Sequence, residues 1–513
     1  MDDCPLPAEI LLNIQEFIKD GNYINFSMSC KWLWENREKP HLKAHQIRHA
    51  NNILKCLESQ SHFIDCSVMG SGKTYTTIYV AKKLKLPLFV VCPAAALTVW
   101  KRLCKVYDIG IVHITTYESL KGGNNGVKHP YLVCDDGVYS VTPEYTQLVE
   151  KGILLVLDEV HKTKNAETSN SKACIVLARH ISGNSRLGLL SASPFDKEKH
   201  VESILKLLGI IRQSKLLDFN PATLEYRYMG FTDAINFFES LDSIATHSMV
   251  FNTTVTGSNC RQILFDLYVN ILVPRICFSM PPPSLPPKDL KNGYYNMTEG
   301  GSMQLSVAVS KLGNAIHFAA HHIMQNLPID WSAVNKCLVN IETAKLEIFA
   351  RVARRDLRRY SNCKVILMLY NIESINTLQS HLSQYYPLII HGKLTKKQRV
   401  TVIDTFQNDD RYRLLLCTVG TCNMSVSLHD MKGNMPRHLY INPRYSAIDL
   451  YQATGRVYRV GTLSSPYMRC VYGKNASKET RILDAIARKK AVLEKCISRE
   501  IELPGELDSE IET

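Results

Sequence analysis

Short, continuous apolar runs recur along this chain, separated by longer stretches of mixed pattern. Phe89-Val90-Val91-Cys92, Leu154-Leu155-Val156-Leu157 and Leu187-Gly188-Leu189-Leu190 form one group. Val365-Ile366-Leu367-Met368-Leu369, Leu388-Ile389-Ile390, Leu414-Leu415-Leu416-Cys417 and His438-Leu439-Tyr440-Ile441 form a second. Runs of this kind predict strands buried on both faces. Helical periodicity fills the gaps, so the pattern predicts an α/β protein with two lobes, each a parallel sheet flanked by helices. The first lobe is expected over 37–200 and the second over 341–499. Between them, 201–340 reads as mostly helical. It is interrupted by Ser279-Met280-Pro281-Pro282-Pro283-Ser284-Leu285-Pro286-Pro287, which can be neither helix nor central strand. Before the first lobe, Ile10, Leu11, Ile14, Phe17 and Ile18 make one apolar stripe, and Phe26, Cys30, Leu33 and Trp34 make another. A small helical module is expected over 1–36 and a loose acidic tail over 500–513.

Composition narrows the function classes. The formal charge of +13 and pI near 8.9 favour a polyanionic partner. No run approaches the ~20 apolar residues that cross a bilayer, so no membrane role is expected. The start, Met1-Asp2-Asp3-Cys4, lacks a signal-peptide pattern, and an intracellular location is expected. The 16 cysteines are scattered without a Cys-x₂-Cys pair, which favours buried thiols over a zinc or redox centre.

The chemistry concentrates in three segments. Ser67-Val68-Met69-Gly70-Ser71-Gly72-Lys73-Thr74 can wrap a phosphate. Its glycines let backbone N–H groups turn inward, and the helix that follows adds its positive end. Lys73 would reach the outer phosphates of ATP, and the Thr74 hydroxyl would bind Mg²⁺. Asp158 and Glu159 follow an apolar strand, where ligands gather in open parallel sheets. Asp158 would sit beside the Mg²⁺ and Glu159 would polarise the attacking water. Arg456 and Arg459 fall at i and i+3 in Gln452-Ala453-Thr454-Gly455-Arg456-Val457-Tyr458-Arg459, predicting one helix face that offers two planar forks to a phosphoryl group. Together these residues predict a nucleoside-triphosphate hydrolase.

With those residues in place, the chain resembles the superfamily 2 helicase-type ATPases, and within them the SNF2-like DNA translocases. The resemblance runs from Leu42 to Gly461. Leu42-Lys43-Ala44-His45-Gln46 is similar to the segment that contacts adenine, so Gln46 inherits that role. Val91 to Leu97 with Trp100, and Ile114-Thr115-Thr116-Tyr117-Glu118, resemble segments that face nucleic acid. Asp158-Glu159-Val160-His161-Lys162-Thr163-Lys164-Asn165 resembles the SNF2 form of the acidic motif. Ser191-Ala192-Ser193-Pro194 resembles the motif coupling ATP to the nucleic-acid groove. In the second lobe Gly392, Arg399, Phe406 and Gln452–Gly461 match further landmarks. The resemblance implies tandem RecA-like lobes, ATP and Mg²⁺ as ligands, and a nucleic-acid partner, with duplex DNA favoured over RNA. It also implies location in the nucleus or, for a chain from a large DNA virus, in host cytoplasm or virion. Ser425 and Ser427 depart from the family, standing where Gly and Asn are expected, which weakens the expected coupling to nucleic acid.

Two further features bear on partners. Arg351, Arg354, Arg355, Arg358 and Arg359 cluster at helical spacing, either as phosphate contacts or as a solvated helix face. Residues 5–36, through Leu6-Pro7-Ala8-Glu9-Ile10-Leu11 and Ser29-Cys30-Lys31-Trp32-Leu33-Trp34, resemble an F-box that docks a ubiquitin-ligase adaptor; a plain helical cap is the competing reading. Strand-separating helicase action on DNA or RNA, and an adaptor role with nucleic-acid-binding lobes, are the alternatives to duplex tracking. No feature fixes the oligomeric state.

Overall fold

A computed structural model describes residues 42–122, 129–220, 225–250, 254–324, 331–422, 426–474, 479–504 and 509–512. The expected module at 1–36 lies outside the described residues. The chain forms two compact units, one running to Pro282 with Val492–Arg499, the other Pro283–Ala491 with Glu500–Thr513.

In the first unit the strands are β1 (His62–Asp65), β2 (Leu88–Cys92), β3 (Ile111–Thr116), β4 (Leu154–Asp158), β5 (Arg186–Leu190) and β6 (Cys277–Phe278). Their order is β6-β1-β5-β4-β2-β3, and every pair is parallel. Helices α1 (Ala44–Ser59), α2 (Lys73–Leu84), α3 (Leu97–Tyr107) and α4 (Ser169–Arg179) belong to this unit. α1 turns Ala50, Ile53 and Leu57 inward, the i, i+3, i+7 stripe of a half-buried helix. They join Phe63, Ile78, Val90, Trp100 and Val156 in one core, each large side chain contributing about 1.5–3 kcal/mol of burial. Gly188 on β5 is there for space: a Cβ would come within 2.6 Å of the Phe63 ring on β1.

In the second unit β7 (Asp289–Tyr295), β8 (Lys364–Leu369), β9 (Leu388–Ile390), β10 (Leu414–Thr418), β11 (Arg437–Ile441), β12 (Tyr467–Gly473) and β13 (Ser509–Glu512) form a second parallel sheet. The order is β9-β10-β8-β11-β12-β7-β13, with Leu367 opposite both Leu416 and Tyr440. Helix α5 (Leu346–Arg359) lays Phe349, Val352, Ala353 and Leu357 on that core. Helix α6 (Ala447–Val457) follows β11, capped by the Ser446 hydroxyl, which accepts from Asp449 N–H. A helical pair, Glu299–Met324 and Trp331–Ala344, packs around Leu305, Leu312, Val334 and Ile341.

Tandem parallel-sheet lobes were expected, and both are present. Three boundaries differ. The first sheet continues past 200 to β6, the second begins with β7 before 341, and residues 509–512 of the expected tail pair with β7. β6 has two residues, and β7 reads Asp289-Leu290-Lys291-Asn292-Gly293-Tyr294-Tyr295. β6 is too short to stand out as an apolar run, and β7 carries polar residues over most of its length.

Candidate active site

The loop 67–74 connects β1 to α2, and the residue ahead of it fixes where it starts. Asp65 ends β1 and is fully buried. One carboxylate oxygen accepts Ser67 N–H at 2.9 Å; the other pairs with His49 Nε2 at 3.1 Å. Burial raises the Asp65 pKa, but the bonds and charge from His49, with Lys73 and Ser67, outweigh it and hold the carboxyl below its ordinary value. Ser67 Oγ accepts Met280 N–H at 2.9 Å, tying the loop to the segment after β6.

Gly70 and Gly72 take φ of 78° and 100°. Gly72 has a second constraint, since a Cβ there would fall on the Gln46 side-chain amide. Gly72→Ala is therefore expected to cost about 1–2 kcal/mol of stability and to weaken nucleotide binding, checked by urea denaturation alongside nucleotide titration. Lys73 and Thr74 open α2 as expected. Lys73 Nζ spans the loop, donating to the carbonyls of Ser67 at 2.9 Å and Val68 at 3.4 Å. Ser71 Oγ donates to the same Val68 carbonyl at 2.8 Å, closing the turn.

Gln46 is engaged inside the protein. Its Nε2 donates to Ser71 O at 2.8 Å and its Oε1 accepts Lys43 N–H at 2.9 Å. One amide hydrogen and one lone pair remain for a base, so Gln46 also braces the loop.

Asp158 ends β4, next to Glu159 in the left-handed region at φ 59°. Trp100 Nε1 donates to Asp158 Oδ2 at 2.9 Å, and Tyr117 OH donates to Asp158 O at 2.9 Å. Both aromatic residues are buried. These two side chains hold the acidic residue, because each aromatic body packs in the core and only its polar tip needs a partner. Burial, then the neighbouring Glu159 charge, raises Asp158 to about 6. Glu159 Oε2 lies 3.3 Å from His161 Nδ1, and Ser191 Oγ lies 3.3 Å from the same nitrogen. Ser191 Oγ accepts Ser193 N–H at 3.1 Å. A polar chain thus runs from Glu159 to the segment after β5. The Lys73 charge acts on Asp158, and a hard carboxylate oxygen, a lysine and the hydroxyl of the adjoining Thr74 make a donor set that fits a magnesium nucleotide.

In the second unit Arg456 is buried in the last turn of α6. Arg459 is not on that helix. α6 stops at Val457, and Tyr458 is extended at φ −125° and ψ 101°. The expected shared helix face is therefore a helix end followed by a turn. Thr462 Oγ1 accepts Arg459 N–H at 3.0 Å and donates to Arg459 O at 2.7 Å, and Gly461 turns the chain at φ 93°. Arg459 Nη1 donates to Ser427 Oγ at 2.9 Å, so Ser427 positions the arginine. Ser425 lies outside the described residues. Burial, then Arg456, lowers Arg459 to about 10.

Behind this turn is a polar frame that the sequence did not reveal. Arg437 Nη2 donates to Gln407 Oε1 at 2.8 Å, Gln407 Nε2 to Ser427 O at 2.7 Å, and Arg437 Nε to Leu428 O at 2.9 Å. Leu428 N–H donates to Arg456 O at 2.9 Å. His429 is pushed down to about 4 by burial, then by Arg459 and Arg437. A histidine neutral when folded and at 6.5 when unfolded contributes stability above pH 6.5 that is lost as pH falls towards 4. His429→Gln is expected to flatten that part of a pH–stability profile measured by chemical denaturation.

The arginine cluster, read from the sequence either as phosphate contacts or as a solvated helix face, also bonds within its own lobe. Arg351 donates to Asn296 O, Arg354 to His381 O, Arg355 to Tyr440 OH and Arg358 to Tyr385 OH. Arg359 stacks on the Tyr360 ring at 5.5 Å. The first four bonds tie α5 to its own lobe. Arg399 similarly closes its loop, donating to Leu394 O and Gly392 O.

Residues 344–461 match the family model of the helicase conserved C-terminal domain. A protein of Acanthamoeba polyphaga mimivirus, named "Putative ATP-dependent RNA helicase", is 24% identical over 476 residues, covering 90% of this chain and 84% of that protein. Among solved structures, the Sulfolobus solfataricus SWI2/SNF2 ATPase core in complex with dsDNA is 16% identical, with TM-score 0.31, covering 90% of this chain and 98% of the other. The Sulfolobus solfataricus SWI2/SNF2 ATPase core domain is 17% identical, with TM-score 0.31, over 85% of this chain and 86% of the other.

Proposed function

We propose that this chain, an ATP-hydrolysing enzyme of the helicase class with a helicase conserved C-terminal domain over 344–461, is an SNF2-like motor that tracks duplex DNA. The observation that carries the ATPase half is the loop itself: Lys73 spans it on the Ser67 and Val68 carbonyls, and Gly70 and Gly72 hold it open. Phosphate oxygens would take Lys73 Nζ in place of those carbonyls. Mg²⁺, held by Thr74 and Asp158, would neutralise charge developing on the phosphate oxygens. Glu159 accepts the proton of the attacking water, and His161 orients it. Arg456 and Arg459 are assigned to the transferring phosphoryl group on their sequence pattern, with Ser427 and Thr462 fixing Arg459.

Trp100 is a positioning residue in this scheme. Trp100→Phe removes the donor to Asp158 and is expected to raise the Mg²⁺ requirement for ATP turnover about 10- to 100-fold. A Mg²⁺ titration of the ATPase rate checks this; an unchanged requirement contradicts the positioning role.

Duplex tracking is supported by the positive charge and the SNF2-like sequence landmarks. The mimivirus relative's name favours a second reading, strand separation on RNA. A triplex-displacement assay run beside a strand-displacement assay separates them. Displacement of a third strand without duplex separation supports tracking; strand separation without triplex displacement sinks it.

A further inference from the structure

The helix Glu299–Met324 buries Leu305, Ala308, Leu312 and Ala319 along one side. Its opposite side is apolar too. Met303 is 72% exposed, Val307 45% and Phe318 62%. Helical periodicity gathers these three into one stripe facing away from the buried side. The start of the stripe is hollow: a groove of about 640 Å³ is walled by Met297, Glu299, Ser302, Met303, Ser306 and Val307. Phe318 is the matching knob, its ring 4.2 Å from that of His322. It follows Val307 by about three turns, which returns it to the same face about 20 Å from Met303. Glu299 and Lys311 are the only acidic or basic residues of the helix apart from its histidines, on a chain of net charge +13.

We propose that this face docks a second copy of the chain, antiparallel, with the Phe318 ring of each copy seated in the groove of the other. Knob and groove lie on one face of one helix, so a two-fold axis midway between them, near Lys311, satisfies both at once. Phe318 then meets Met303 in a sulfur–aromatic contact, and the Glu299 end of one helix lies beside the His321–His322 end of the other. Charge favours a second copy over another partner. Two cationic chains repel, and this nearly uncharged face lets them meet while Lys311, on the flank, stays exposed to water. A strongly acidic or basic partner would find no matching charge here. One helix face is smaller than the roughly 800 Å² per partner of a standard interface, so the expected dimer is a weak, micromolar one.

Sedimentation of the full chain across the micromolar range tests this, and a reversible monomer–dimer equilibrium is expected. Phe318→Glu carries a charge into each groove. A two-fold dimer holds the change twice, so Kd is expected to rise about a hundredfold. Ile244→Glu, a control at an 86% exposed residue of the first unit, leaves Kd unchanged. Both variants are expected to melt with the wild type, since both sites are exposed. A photo-cross-linking residue at 318, in a mixture of isotope-light and isotope-heavy chains, is expected to give mixed-mass adducts within residues 297–307. A chain that stays monomeric overturns the proposal, as does a dimer that Phe318→Glu leaves intact or a cross-link confined to one chain. Monomers that float with phosphatidylcholine vesicles, and cease to in Phe318→Glu, would give the face to a lipid surface and overturn it equally.

Discussion

Glu159→Gln is expected to lower ATP turnover about a thousandfold while leaving nucleotide binding within about twofold. The substitution keeps size and hydrogen bonding but removes the group that accepts a proton from water. The Lys73 bond that closes the loop 67–74 and the Trp100 and Tyr117 donors to Asp158 do not depend on that charge. The His161 contact at 3.3 Å shows that the carboxylate is already oriented. Single-turnover hydrolysis beside equilibrium nucleotide titration separates the two effects. Equal loss in both would assign Glu159 to holding the loop. Lys73→Ala should instead lose binding and turnover together.

The second large effect is on stability. Lys345 and Glu479 form an ion pair at 2.6 Å, and both are buried. Lys345 Nζ also donates to Val471 O at 2.9 Å, and Glu479 accepts Gly473 N–H at 3.0 Å. The pair fastens the residue before α5 to the end of β12. Lys345→Ala strands a carboxylate in the interior and is expected to cost about 3–5 kcal/mol. Replacing both partners, Lys345→Met with Glu479→Leu, should recover most of that loss, because no buried charge is left unpaired. Denaturant unfolding of the two variants checks this, and equal destabilisation in both would mean that packing, not charge, governs the site.

Much of this architecture is written in local pattern. Strands β2, β4, β5, β8 and β10 are apolar at nearly every position because both faces are covered, and such runs stand out without a structure. The loop was legible because a phosphate cradle needs glycine and lysine at set places. What the sequence hid depends on contacts between distant segments. Trp100 and Tyr117 look like ordinary aromatic residues after strands; only the fold brings their polar tips to Asp158, 58 and 41 residues away. Gln407 and Arg437 carry no motif, yet they hold the Ser427–His429 backbone against Arg459. The end of α6 was missed because helical spacing continues to Arg459, whereas the turn locked by Thr462 and Gly461 wins locally. Ser427 shows the same limit: a departure from the family pattern became a hydrogen-bond acceptor for Arg459.

The central claim is that ATP hydrolysis drives movement along nucleic acid. Steady-state ATP turnover measured with duplex DNA, single-stranded DNA, RNA and no nucleic acid tests it most directly. The account predicts severalfold stimulation, strongest with duplex DNA and absent in Lys73→Ala. A turnover rate equal under all four conditions would contradict it.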